Sequence, residues 1–97
     1  MNDLTDLPNI GRTLAEKLNQ VGIRTEQDLK LSGSENAIIK IATVENSGAC
    51  INMLYALEGA IQGIRWHGLD ELRKQELREF YHLMSKEINS LPNKNRH

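Results

Sequence analysis

Residues 49–64, ACINMLYALEGAIQGI, are apolar on nearly every side when wound as a helix, with only Asn52, Glu58 and Gln62 interrupting. A helix of this kind has no wet face to turn outward, so neighbouring elements must cover it from several directions. The stretch is also too short and too polar to cross a bilayer, which takes about 20 apolar residues. It is therefore read as the buried central helix of a small domain. Ala56, Gly59, Ala60 and Gly63 recur within it at helical spacing, a small-residue side that another helix can approach closely. Glycine inside a helix costs about 1 kcal/mol relative to alanine, and close backbone packing is the expected compensation at Gly59. An unpaired carboxylate in such a helix is costly too. No second carboxylate or histidine stands at helical spacing from Glu58, so an ion pair or hydrogen bond to a neighbour such as Arg65 or the N-terminal hairpin is expected, not acid catalysis.

The N-terminal residues 4–29, LTDLPNIGRTLAEKLNQVGIRTEQDL, supply part of the cover. Leu14, Leu18 and Val21 have helical spacing, Pro8 and Gly11 turn the chain before them, and Gly22 stops the helix after them. Thr25 with Glu26 and Asp28 reads as a fresh N-cap with acid in the first turn, so a second helix begins almost at once. This pair resembles a helix-hairpin-helix motif, in which a Leu-Pro-Gly-Ile-Gly-like turn offers backbone N–H groups at a helix N-terminus, often to a phosphate. The match is Leu7, Pro8, Ile10 and Gly11, with Ala15, Leu18, Gly22 and Ile23 downstream, and Asn9 stands where the motif has its first glycine. Asparagine is the non-glycine residue that best tolerates positive φ, so the turn is kept while the room for a phosphate shrinks. Asn9, Gly11, Arg12 and Thr13 are thus candidate phosphate or DNA contacts, with Arg24 near the second corner joining them on a duplex. The alternative is a turn that only packs two helices.

Farther along, Ser32-Gly33 reads as a stop and Ser34-Glu35 as the cap of a short third helix through Ala37, Ile38, Ile39, Ile41 and Ala42. The β-branched isoleucines would suit a strand equally, but nothing else in the chain resembles a pairing strand. Glu45-Asn46-Ser47-Gly48 is a polar loop. Residues 64–68 form a short connection carrying Trp66 and His67, either an exposed recognition pair at a loop or, the reading preferred for a lone tryptophan between two helices, a core plug. After Leu69 comes a long helix with Asp70 and Glu71 in its first turn, and Pro92 ends it, leaving residues 93–97 as a frayed tail. Its apolar stripe includes Phe80, Leu83, Met84, Ile88 and Leu91. These residues either pack within the chain or form a subunit interface of a homo-oligomer, since the helix exceeds what so small a domain needs to close its core.

Bulk properties narrow the function. With 97 residues the chain makes one domain, taken as residues 1–92, and at 39% hydrophobic and 26% charged residues it has globular composition. The fold class is all-α, about five helices, with the hairpin in the N-terminal half. Twelve basic against thirteen acidic side chains leave a net charge of −1, so no global field draws the protein to nucleic acid or anionic lipid, and any such contact must be local. Charge in the hairpin region is balanced, slightly acidic, which disfavours strong non-specific DNA binding. The aromatics, Tyr55, Trp66, Phe80 and Tyr81, are too sparse for a base-stacking platform. Cys50 stands alone, which excludes an internal disulfide and suits a reducing compartment; it is read as a buried structural thiol. His67, His82 and His97 share no metal-ligand spacing, and no nucleophile, base and orienting group can be assembled, so neither metal, cofactor nor enzymatic activity is expected. The N-terminus lacks a basic, apolar leader, and the expected location is the cytoplasm, with no membrane contact.

A second resemblance covers roughly residues 4–80. The run Leu54-Tyr55-Ala56-Leu57-Glu58-Gly59-Ala60-Ile61-Gln62-Gly63, followed by Arg65-Trp66-His67 and Leu69, is similar to the C-terminal domain of the TfoX (Sxy) competence regulators. That family also shows a start like residues 8–11, a Val-Gly-Ile-x-Thr-x-x-Asp-Leu corner like residues 21–29, and a short third helix like residues 37–42. Its full-length regulators carry a further N-terminal domain, to which nothing here corresponds. The resemblance implies a small all-helical domain with a helix-hairpin-helix-like corner, serving bacterial regulation, of competence among other roles, through a protein or DNA partner. The alternative is a homo-oligomeric structural or adaptor domain that binds no nucleic acid.

Overall fold

The computed structural model describes residues 4–90. Its elements are a 3-10 turn at Leu4–Asp6, α1 at Arg12–Gln20, α2 at Glu26–Ala42, α3 at Ile51–Gln62, a second 3-10 turn at Trp66–Gly68, and α4 at Glu71–Ser90. Among the described residues there is no strand. The fold is all-α, as the sequence implies.

Local chemistry sets the boundaries. Gly22, with φ +90°, turns the chain out of α1 into the second corner. Thr25 and Asp28 then start α2 with a reciprocal capping box: the Asp28 N–H donates to Thr25 Oγ1 at 3.0 Å and the Thr25 N–H to Asp28 Oδ2 at 3.3 Å. Gly33 leaves helical geometry, so the break read at Ser32-Gly33 exists, but the helix resumes at once and α2 is one bent element. Ser34 does not act as the cap expected of it; its hydroxyl donates to Glu58 Oε1 at 2.6 Å. The bend keeps Leu29 on one side of it, and Ala37, Ile38 and Ile41 on the other, all in the core.

Every residue of 54–60 is buried, which is what an all-apolar helix requires. Leu54 and Leu57 of α3 join Leu18 of α1, Leu29, Ile38 and Ile41 of α2 and Leu77 of α4 in one cluster of buried side chains. α4 starts at Asp70, whose carboxylate accepts from the N–H groups of Leu72 and Arg73. The principal extents are 42 × 31 × 19 Å. A helix with its side chains is about 10–12 Å thick, so the thinnest dimension holds two layers.

Candidate interaction surface at the first corner

The corner before α1 turns on Asn9, which adopts φ +71°. Its backbone does what the motif's glycine would do, and its amide does more. The Nδ2 group donates to the Ile64 carbonyl at 2.8 Å and to the Ala56 carbonyl at 3.4 Å, while Oδ1 accepts from the Trp66 N–H at 3.1 Å. The corner is thereby fastened to the C-terminal end of α3. Gly59 lies beneath the fastening. A Cβ there would stand 2.5 Å from Asn9 Nδ2, 2.8 Å from the Ile64 carbonyl oxygen and 3.1 Å from Trp66 Cα. The close packing expected at Gly59 is therefore real, but its occupant there is an amide and a loop backbone, not another helix. With the side chain of Asn9 committed inward, Gly11, Arg12 and Thr13 remain exposed at the start of α1.

The second corner is filled from within. Asp28 Oδ2 accepts from the N–H of Arg24 at 3.1 Å as well as from Thr25, so a carboxylate of the chain itself occupies the place an external anion would take. The Arg24 N–H above all, with the Thr25 contacts, holds the Asp28 carboxyl below the usual aspartate range. Arg24 is exposed, yet its backbone N–H is already used.

Glu58 sits at the centre of a polar network between α2, α3 and α4. Its carboxylate accepts from Ser34 Oγ, from Gln62 Nε2 at 2.7 Å and from Arg73 Nη2 at 3.1 Å. Arg73 also faces Glu76 at 3.1 Å and Glu35 at 3.6 Å. Burial is the largest single influence on Glu58 and pushes its pKa up. The hydrogen bonds from Arg73, Ser34 and Gln62 and the charge of Arg73 together outweigh it, and the net direction is down. The expected partner, Arg65, is not the one used; Arg73, fifteen residues along, is.

Beside the corner, Trp66 is half-buried, stacked on Tyr55 with ring centroids 5.5 Å apart and on His67 at 4.0 Å. Lys74 Nζ lies 5.9 Å from the indole centroid, and Arg78 Nη1 donates to the Tyr55 hydroxyl at 3.2 Å. Trp66 therefore roofs the core at its edge instead of plugging its middle. Sequence reading singled out Trp66 and His67 but missed Lys74 and Arg78, whose spacing of four along a helix was the available signal.

The model of the TfoX C-terminal domain matches residues 1–81. This chain belongs to that family. The chain is 36% identical over 77 residues to protein Sxy of Escherichia coli K12, an alignment that takes in 79% of this chain and 36% of Sxy. In structure the domain is similar to an uncharacterized protein from Listeria monocytogenes in a triclinic crystal form, with TM-score 0.82 and 48% identity, covering 86% of this chain and 93% of that one. It is similar too to a Listeria monocytogenes protein of unknown function in a tetragonal form, with TM-score 0.80 and 49% identity, over 84% and 99% of the two chains.

In this TfoX C-terminal domain the apolar stripe of α4 is divided. Met84 is buried in the core, Phe80 and Ile88 are half-buried against it, and Leu83 is 62% exposed. Leu91, Pro92 and the 93–97 tail lie outside the described residues. Met84 and Ile88 also line an open groove of about 730 Å³ between α4 and residues 42–49. Cys50 precedes α3 and is exposed, not the buried thiol expected of it. Among the described residues no group of three or more His, Cys, Asp or Glu side chains could hold a metal ion, and no helix is long and apolar enough to cross a membrane.

Proposed function

We propose that this TfoX C-terminal domain is a non-enzymatic bacterial regulatory module that works in the cytoplasm by holding a macromolecular partner, protein or DNA, at the first corner, and that competence is the process it regulates. The observation that supports this reading is the fastening of the corner by Asn9, which fixes the backbone of residues 9–11 against α3 and leaves Gly11, Arg12 and Thr13 exposed at a helix N-terminus. Such a helix start is a rigid array of N–H donors suited to a phosphate or a carboxylate. The non-enzymatic part rests on Glu58. Held charged by Arg73, Ser34 and Gln62, it is not poised to exchange a proton near neutral pH.

The test is affinity capture of the full chain after cross-linking in its own cells, with co-purifying proteins identified and DNA sequenced, for the wild type and Arg12→Glu in parallel. A defined protein or DNA region retained by the wild type and depleted several-fold with Arg12→Glu is the expected result. Equal recovery with both chains, or nothing above background, overturns it. Transcript levels of DNA-uptake genes in cells lacking the chain test the competence link, and unchanged levels overturn that part.

A further inference from the structure

The polar loop between α2 and α3 stands off α4 instead of collapsing onto it. Asn46 and Gly48 hold left-handed backbones, φ +59° and +73°, which turn the loop sharply. Both of its ends are pinned: the Thr43 hydroxyl donates to the Lys40 carbonyl at 2.8 Å, and the Tyr81 hydroxyl of α4 donates to the Ala49 carbonyl at 3.0 Å. Within it, the Ser47 N–H donates to the Val44 carbonyl at 3.2 Å. Between this braced loop and the helix lies the open groove of about 730 Å³. Its floor is apolar, made by buried Met84 and half-buried Ile88, and its rim is polar, made by Thr43, Asn46 and Ser85. Glu45 is the charged residue among those lining it. The α4 wall from Met84 onward lies beyond the residues that the family model matches.

We propose that the occupant of this groove is the chain's own segment 91–97, LPNKNRH, folded back along α4 with Leu91 over Met84 and Ile88 and with Lys94 and Arg96 at Glu45. Position carries the first step. Leu91 follows Ile88 by three residues and Met84 by seven, the spacing that continues one side of a helix. Ile88 and Asn89 line the groove and α4 is described as far as Ser90, so the chain leaves the helix at the groove's mouth. Pro92 cannot continue a helix and suits a turn. Length carries the second step. Residues 93–97 reach about 17 Å when extended, whereas the wall from Tyr81 to Asn89 is about 12 Å long. Charge carries the third: the segment holds Lys94 and Arg96 and no acid, and it meets a rim whose charge is Glu45. A short tether also gives a segment an effective concentration in the mM range, which a separate peptide of equal affinity must match to displace it. The segment thus clasps the loop at 42–49 to α4 and closes the groove to other chains, whatever the first corner holds.

The experiment is NMR on the isotopically labelled full chain. Nuclear Overhauser contacts between the side chains of residues 94–97 and those of residues 43–48 are expected. Lys94→Glu combined with Arg96→Glu should erase these contacts and speed hydrogen exchange at the bonded amides of Val44, Ser47 and Ala49 about threefold. Leu91→Ser, which removes the apolar anchor, should loosen the same amides. Adding Glu45→Lys to the two charge reversals should restore both contacts and protection, a rescue that a general loss of stability does not give. Lys86→Glu, exposed on α4 and outside the groove, should leave both unchanged; thermal melts verify that each variant is folded. Random-coil shifts at residues 93–97 with no contact to the loop overturn the proposal. Contacts that survive reversal of both cations overturn the pairing with Glu45. In a mixture of labelled and unlabelled chains, contacts that arise only between chains overturn the folding back and give the groove to a second copy.

Discussion

Asn9 combines a left-handed backbone with three hydrogen bonds to residues far away in sequence. The two contributions can be separated. Asn9→Gly keeps the backbone conformation and removes the bonds, and is expected to cost about 2 kcal/mol, a fall of roughly 10 °C in melting temperature. Asn9→Ala loses both and should fall further; thermal denaturation of the two variants checks the order. Glu58 supplies the second residue-scale expectation. Its carboxyl is held below the ordinary glutamate value in the folded chain, so the unfolded chain takes up the proton more readily and stability falls as pH falls. The stabilisation is complete above the ordinary value and is lost on descending through the folded one. The melting temperature should therefore drop on acidification below about pH 5. Glu58→Gln should melt lower than the wild type at neutral pH, destabilised by about 1–3 kcal/mol because Arg73 loses its counter-charge and Gln62 meets an amide NH2 in place of its acceptor oxygen, and the gap should narrow in acid. A neutral-pH melting temperature equal to the wild type's would contradict this.

At the scale of the element, α2 depends on its first turn, since its bend at Gly33 divides it into two short helical pieces and short helices are marginal alone. Thr25→Ala removes half of the capping box and is expected to cost about 1 kcal/mol, measurable by urea denaturation. The elements were legible because their signals are local: a capping Thr three residues before Asp28, Gly22 after Val21, and an apolar run with no wet face. What lay hidden was which residues meet. Sequence pattern required a partner for the buried Glu58 but placed it at Arg65, because proximity along the chain does not reveal that the turn at residues 66–68 reverses direction and swings Arg73 back over α3. The small-residue side around Gly59 announced a close neighbour, yet side-chain size alone cannot tell a helix from a loop backbone. Cys50 was read as buried because it adjoins an apolar run, but it lies one position before the helix, where the side chain faces out.

For the whole molecule, the radius of gyration of 13.4 Å slightly exceeds the about 12.5 Å expected of a chain this long, consistent with a slab along which α4 runs about 30 Å. Of the α4 stripe, Met84 belongs to the core and Phe80 and Ile88 lean on it, which leaves Leu83 as the exposed apolar member among the described residues. With Leu72, 65% exposed on the same face of α4, it makes two leucines, still far short of the roughly 800 Å² that each partner of a stable pair buries. Sedimentation at high concentration is expected to give a monomer, and a dimer abolished by Leu83→Glu would contradict that.

The long-range bonds of Asn9 carry a consequence for synthesis. Residue 9 leaves the ribosome well before the groups it binds, which are delivered at residues 56, 64 and 66. Until then the first corner has nothing to lock onto. A partner that recognises its finished shape consequently ignores nascent and truncated copies and engages only polypeptides translated past that point.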